Sequence, residues 1–362
     1  MKLGRALGVA AAAAALLLAA CGDDDDEATD EPAAADVGGE LGAIKAYLTE
    51  HSAELAAQTE ILAEQGERYY ELSEAADFDY DALMKESGDE VEEIMATSKE
   101  AFQAANPAYE EMEGIVAGVP RLAQYDVDID AGADASDPEN AVSFSLERPD
   151  GEVLKQPGNM FFVVETSLYG TNPDFLAKTA QDVDGDGKEE FGEGVPDANT
   201  YVAAVRKFDE LADSLDTDAQ AFEPTPSDAF TAITVMTPTM SEYFEAWKNS
   251  RFIAGEDASE LGFVAASRLS DIADILEGIV FTYDEIEPQV AEESPQQAEQ
   301  TGKALNDLLA YVEDIRDREE GGEKFTAEQA DTLGSEAQRQ AEAVAGQVAQ
   351  AAQRLGIELQ EA

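Results

Sequence analysis

Apolar residues recur every three or four positions along most of the chain after its first 40 residues, with acidic residues between them. This spacing places the apolar side chains on one side of an α-helix and the charged ones on the other. Roughly eight or nine such helices follow from the pattern. It predicts an all-α fold of packed helical bundles, most readily two pseudo-related ones. The clearest stripes lie in 41–78, 80–102, 201–215, 263–283 and 305–315.

Capping and breaking residues set the ends of several helices. Asn106 followed by Pro107 predicts the start of a new helix, because asparagine caps helices and proline is tolerated at their first position. Pro238 predicts a kink in a later helix. Thr326 and Gln329 have the spacing of a capping box, which predicts that the last helix begins there.

One segment departs from the helical period. Apolar residues alternate over 142–146, the turn sequence Arg148–Gly151 follows, and Val153 and Leu154 come next. Alternation on both sides of a turn predicts a short β-hairpin inserted between helices. A helix is expected to resume at Asn159.

The first 20 residues have the pattern of an export signal. A short positive segment is followed by an apolar run and by Leu18-Ala19-Ala20-Cys21. The run is shorter than the roughly 20 residues that span a bilayer. An ordinary signal peptide or a short anchor helix would also fit, but the cysteine lies where a lipobox needs it. We therefore expect a lipoprotein signal peptide (1–20), lipidation of Cys21, an acidic disordered tether (21–40) and a helical domain (41–358).

The charge of the chain is strongly negative, at −58, and removal of Lys2 and Arg5 with the signal would make it −60. Such a protein will not bind nucleic acid, whose phosphates require a basic surface. Anionic lipid headgroups would also repel it, so the lipid on Cys21 is the expected means of contact with the outer face of the cell membrane. The acidity indicates either a cation-collecting surface or a high-salt habitat, and its spread along the chain favours the habitat.

Cys21 is the only cysteine and His51 the only histidine. Disulfides, zinc–thiolate sites and two-histidine metal motifs are thereby excluded. Carboxylates, hydroxyls and backbone carbonyls remain, and these are the ligands of hard cations.

The segment 182–193 matches the twelve-residue calcium loop of EF-hand proteins. Its acids at the first, third and fifth positions converge because Gly187 permits a tight turn. Glu189 stands where an apolar residue is usual, and Pro196 prevents a helix from leaving directly, so a lone structural calcium loop is expected. A flexible acidic loop is the alternative. The predicted ligands are Asp182, Asp184, Asp186, Lys188, Glu190 and Glu193.

Acidic and phenolic side chains also recur at one-turn spacing within the predicted helices. Tyr109 lies four positions before Glu113, and Glu242 lies three before Glu245. Facing a bundle interior, such pairs are able to hold iron or another hard cation. A solvated acidic face is the alternative for each pair taken alone.

The segments 108–130 and 161–169 resemble the imelysin-like family, which includes the extracytoplasmic lipoproteins of Efe-type iron uptake. The resemblance implies an all-helical, exported protein of iron acquisition that works with an iron-uptake permease. It also implies a metal site built on a His-x-x-Glu motif, with Glu165 as its glutamate and Glu113 as an acid from an earlier helix. Phe162 stands where the family has histidine. His51-x-x-Glu54 has the same spacing but lies elsewhere in the chain.

Three functions follow as hypotheses. The first is a non-enzymatic lipoprotein that binds iron through Glu113, Glu165, Tyr109, Glu242 and Glu245. The second is a helical scaffold or binding protein of the cell envelope with calcium as its only ion. The third, a metallopeptidase, requires a metal-bound water and an open coordination position. It is disfavoured because the motif lacks its histidine.

Overall fold

The computed structural model describes residues 41–178 and 194–360, and most of these residues are helical. The predicted signal peptide (1–20), the tether (21–40) and the calcium loop (182–193) lie outside the described residues. No helix in the described part is long and apolar enough to cross a membrane. The α-helices are α1 (Leu41–Ala75), α2 (Tyr80–Val116), α3 (Ala123–Asp126), α4 (Met160–Leu168), α5 (Ala198–Ala221), α6 (Pro226–Met236), α7 (Met240–Asn249), α8 (Arg251–Ala254), α9 (Arg268–Glu293), α10 (Pro295–Glu320) and α11 (Ala327–Leu355).

The helices pack as two groups that share one apolar core. In the first, α1 lies between α2 and α5, and its buried stripe includes Leu48, Leu55 and Leu62. In the second, α11 packs against α6, α7 and α10, and α10 packs against α9. Contact between α2 and α9 joins the groups. Burial of one stripe on each helix explains the periodicity, and the predicted all-α bundle architecture is confirmed.

Two small antiparallel hairpins interrupt the helices. The strands β1 (Ser145–Glu147) and β2 (Val153–Lys155) pair with Leu146 opposite Leu154, which confirms the predicted hairpin. The strands β3 (Leu176–Lys178) and β4 (Val195–Pro196) form the second. That hairpin was not predicted, because strands of two or three residues are too short to show alternation.

The predicted helix start at Asn106 is wrong. The helix α2 runs through Pro107 without a break, and Phe102, Ala105, Tyr109 and Met112 are buried on one face across it. A proline inside a helix costs about 3 kcal/mol, and burial of this continuous face outweighs that cost.

The other helix boundaries that were predicted are confirmed. Asn159 caps α4 by accepting the Phe162 N–H, and Thr326 and Gln329 form the capping box of α11. Pro238 lies in a 3₁₀ turn, Thr237–Thr239, so the kink predicted inside one helix is instead a break between α6 and α7.

Candidate metal centre

A cavity of about 610 Å³ opens between α2, α4, α7 and the segment that precedes α9. A π-helical turn, Val127–Ala131, completes its wall and contributes Asp130. Arg268 is the one basic residue among the described residues that line it. A cavity with this lining favours a cationic ligand over an anionic one. The acids of the lining are Glu113, Asp126, Asp130, Asp134, Glu165, Glu242 and Glu260.

Three buried carboxyls converge beside this cavity, and two of them, Glu113 and Asp130, line it. Glu110 and Glu113 lie one turn apart on α2, and Asp130 comes from the π-helical turn. One oxygen from each lies within 4.8 Å of the others. In the part of the chain that the structure describes, this is the one group of acids, histidines or cysteines that meets this spacing. Convergent carboxylate oxygens are the donor set that hard cations prefer.

The guanidinium of Arg268 lies against the same carboxyls. It is 3.4 Å from Glu110, 3.3 Å from Asp130 and 3.2 Å from Asp271. Its central carbon lies 4.6 Å from the ring centre of Tyr243 and 4.5 Å from that of Phe263. One positive charge thus neutralises part of the cluster, and the two rings hold it in place.

Burial disfavours the ionised form of two acids in the cluster. Burial, reinforced by the charge of Asp130, raises the pKa of Glu113 to about 7. Burial, reinforced by Asp271, raises the pKa of Glu110 well above its usual range. The two carboxyls contact each other, yet neither Glu110 Oε2 nor Glu113 Oε2 accepts a hydrogen from an N–H or O–H donor. A shared proton or a bound cation is needed to hold these oxygens together.

Glu165, the glutamate of the family motif, lines the cavity and binds the segment that precedes α9. Its carboxylate accepts the backbone N–H groups of Phe263, Val264 and Ala265 at 2.7, 2.9 and 2.8 Å. Burial still raises its pKa to about 7. Phe263 has a φ of 53°, a conformation that bulky residues rarely adopt. Glu165 therefore holds a strained segment of the cavity wall, with Oε1 accepting two of these N–H groups and Oε2 accepting one.

The other predicted ligands differ in burial and in whether they line the cavity. Glu242 lines the cavity as an exposed residue. Tyr109 is fully buried, and its hydroxyl donates to Asp126 at 2.9 Å. Glu245 lies outside the cavity, exposed and 3.9 Å from Lys248. Phe162 lines the wall at the position of the motif histidine and offers no ligand atom.

His51 does not replace the missing histidine. Its Nε2 lies 2.5 Å from Glu111, and its Nδ1 lies 2.7 Å from the carbonyl of Tyr47. It is absent from the cavity lining, and Glu54 is exposed. The second His-x-x-Glu spacing is therefore a feature of the surface of α1.

The sequence-based prediction missed Glu110, Asp130, Tyr243 and Arg268. Glu110 stands three positions before Glu113, a spacing that the one-turn rule could have found. Arg268 and Asp130 were harder to find from the sequence, because these two residues contact each other although they lie 138 positions apart along the chain. Tyr243, which donates to Glu113 at 2.8 Å, lies between the two acids predicted on α7.

Comparison with known proteins agrees with the fold. No curated protein shows a significant match to the chain. The family model described as imelysin, a peptidase M75 family, matches residues 45–354. The match extends from the first turns of α1 to the end of α11 and includes the whole cavity. This chain belongs to the imelysin family.

Proposed function

We propose that this protein is a lipid-anchored, extracytoplasmic protein that binds a hard cation in the cavity and serves iron acquisition. The observation that carries the proposal is the buried group Glu110, Glu113 and Asp130, in which two carboxylate oxygens lack a donor. Membership of the imelysin family is consistent with a role in iron uptake. Delivery of the ion to a membrane permease is part of the proposal.

The proposed ligands differ from those of the family motif. Phe162 supplies no ligand atom, and Glu165 already accepts three backbone N–H groups, which weakens it as a metal ligand. The all-oxygen cluster on α2 and the π-helical turn supplies the donors instead. We propose a binding protein rather than a peptidase, because the His-x-x-Glu motif that would hold a catalytic metal has Phe162 in place of its histidine.

Titration of a chain lacking residues 1–40 with Fe²⁺ under anaerobic conditions tests the proposal. We expect saturable binding by calorimetry, and we expect Glu113→Gln to weaken it by about tenfold or more, because an amide oxygen replaces a charged ligand. Glu245→Gln is the matched control, since it removes the same charge from an exposed site on α7.

Three results would contradict the proposal. Equal weakening by both substitutions would mean that net charge, and not the cluster, governs binding. The absence of any saturable Fe²⁺ binding would favour the scaffold function instead. Cleavage of unfolded casein by the same preparation, lost in Glu113→Gln, would favour a peptidase.

Calcium binding by the loop 182–193 belongs to the proposal as a separate, structural role. Its support is the sequence spacing of the loop acids. We expect a calcium chelator to lower the melting temperature and Asp182→Ala to abolish that response. Asp174→Ala, an exposed acid just before the loop, is the control that keeps the response.

Membrane attachment through Cys21 is the last part of the proposal. It rests on the Leu-Ala-Ala-Cys sequence after an apolar run. We expect the full-length chain to incorporate labelled palmitate and to fractionate with membranes. Cys21→Ser should lose both properties, and a Cys21→Ser chain that still carries the label would contradict the assignment.

A further inference from the structure

A positive charge of the protein itself lies where the proposed ion would bind. Arg268 contacts Glu110 and Asp130, two of the three carboxyls that converge within 4.8 Å. Burial keeps these carboxylates away from water, so a nearby positive charge is needed to neutralise them. Either the guanidinium of Arg268 or a metal ion can supply that charge. The guanidinium and the metal ion cannot both bind the same carboxylate oxygens at full strength at the same time.

We infer that Arg268 is an internal competitor of the bound cation and sets the affinity of the site. The inference rests on the proposed function, because it assumes that the cluster binds a metal ion. Entry of the ion displaces the guanidinium from Glu110 and Asp130, and return of the guanidinium helps to expel the ion. A protein that must release its cargo gains from such a competitor, because it prevents the multi-carboxylate site from binding irreversibly.

The surroundings of Arg268 allow this exchange. Asp271 lies one turn further along α9 and is 3.2 Å from the guanidinium, so it can keep one ion pair while the other two are released. The Nε of Arg268 has no hydrogen-bond partner, so the displacement breaks no bond at that atom. Tyr243 and Phe263 contact the guanidinium through the faces of their rings. Cation–π contacts of this kind depend less on direction than hydrogen bonds do, so the guanidinium can shift while keeping them.

The same contacts argue against a purely structural clamp. If Arg268 served only to hold the carboxyls together, their oxygens would be expected to accept hydrogen bonds. Three of these oxygens have no hydrogen-bond donor: Glu110 Oε2, Glu113 Oε2 and Asp271 Oδ1. Glu113 makes no ion pair with Arg268 within 4.0 Å among the described contacts. One guanidinium therefore leaves oxygens of the cluster available to a second cation.

Calorimetric titration with Fe²⁺ tests the inference in chains lacking residues 1–40. We expect Arg268→Gln to bind Fe²⁺ about tenfold tighter or more, because it removes the competing charge beside the ligands. Arg268→Lys should fall between this variant and the wild type, because it keeps the charge but loses the planar fork. Arg339→Gln is the control for net charge, since Arg339 is exposed on α11 and pairs with Glu336.

Each outcome decides a different statement. If wild-type protein binds Fe²⁺ and folded Arg268→Gln binds it equally or more weakly, the inference is wrong and the proposed function stands. If neither binds, both are wrong. If Arg268→Gln fails to fold, Arg268→Lys is compared with the wild type instead. Fe²⁺ binding by Arg268→Lys that is equal to or weaker than that of the wild type overturns the inference.

Discussion

At the scale of single residues, α9 carries a half-buried acid, Asp274, whose ionisation is unfavourable in the folded protein. Burial, reinforced by the charges of Asp271, Glu111 and Glu277, raises the pKa of Asp274 to about 7 from its ordinary 3.8. Between these two values the folded chain holds a proton that the unfolded chain has lost. The contribution of Asp274 to the free energy of unfolding therefore falls as the pH rises from about 4 to about 7.

Asp274→Asn should remove this contribution, because asparagine stays neutral at every pH. We expect the variant to melt higher than the wild type at pH 8 and at the same temperature near pH 4, as measured by circular dichroism. Glu293→Gln, at the exposed end of α9, should show no such pH-dependent difference. A variant that is equally stabilised at both pH values would show that packing, and not ionisation, explains the gain.

The sequence revealed only part of the site at this scale. Glu113 and Glu242, which one-turn spacing along a helix singled out as candidate ligands, both line the cavity. Glu245 was wrongly grouped with them, since it is exposed and outside the cavity. Whether a carboxyl is free to bind a cation depends on its partners, and those of Glu165 come from about 100 positions later in the chain. Spacing along one helix carries no information on such contacts.

At the scale of helices, the cluster depends on how closely α2 and α9 approach. Gly278 on α9 faces the backbone of α2, and a Cβ atom there would overlap the carbonyl oxygen of Glu111. Gly114 on α2 faces Ile279, whose side chain would lie 3.0 Å from an added Cβ. The two glycines let the backbones come together, which places Glu110 within reach of Arg268.

Gly278→Ala should therefore separate α2 from α9. We expect a loss of about 1–3 kcal/mol in the free energy of unfolding, measured with denaturant, and weaker Fe²⁺ binding. Gly346→Ala is the matched control, because that glycine lies in α11 with nothing near an added Cβ. The control should be neutral or stabilise the protein by up to about 1 kcal/mol. Equal stability of the two variants would contradict the role assigned to Gly278.

Most helices could be predicted from the sequence, because a helix that buries one face has apolar residues at every third or fourth position. The exceptions have physical causes. At Pro107, packing of the apolar face of α2 outweighs the local preference for a break. The hairpin of β3 and β4 is too short to leave an alternating pattern, and its two residues in β4 are both buried.

At the scale of the whole molecule, the dominant property is the net charge of −58. Acids outnumber bases 80 to 22, so most exposed carboxylates have no basic partner and repel one another. Salt screens this repulsion over distances beyond about 8 Å at physiological ionic strength and over shorter ones as salt increases. Compaction of such a chain is therefore expected to depend on salt.

Raising KCl from about 0.05 M to about 1 M should raise the melting temperature by roughly 5 °C or more. The measurement is made in the presence of a chelator, so that neither calcium nor iron contributes. An uncharged sugar at equal osmolality is the control and should have a smaller effect. A flat or falling melting temperature would mean that surface repulsion does not limit stability.

The position of Arg268 along the chain has a consequence for the order of folding. Its partners Glu110 and Asp130 precede it by 158 and 138 residues. A chain synthesised from its N-terminus can pack α1, α2, α4 and α5 before α9 exists. During that interval the carboxyls of the cluster have no guanidinium beside them and must keep protons or capture cations from solution. The cavity is therefore completed only once α9 has been added, and metal ions present during folding are expected to change the rate of that step.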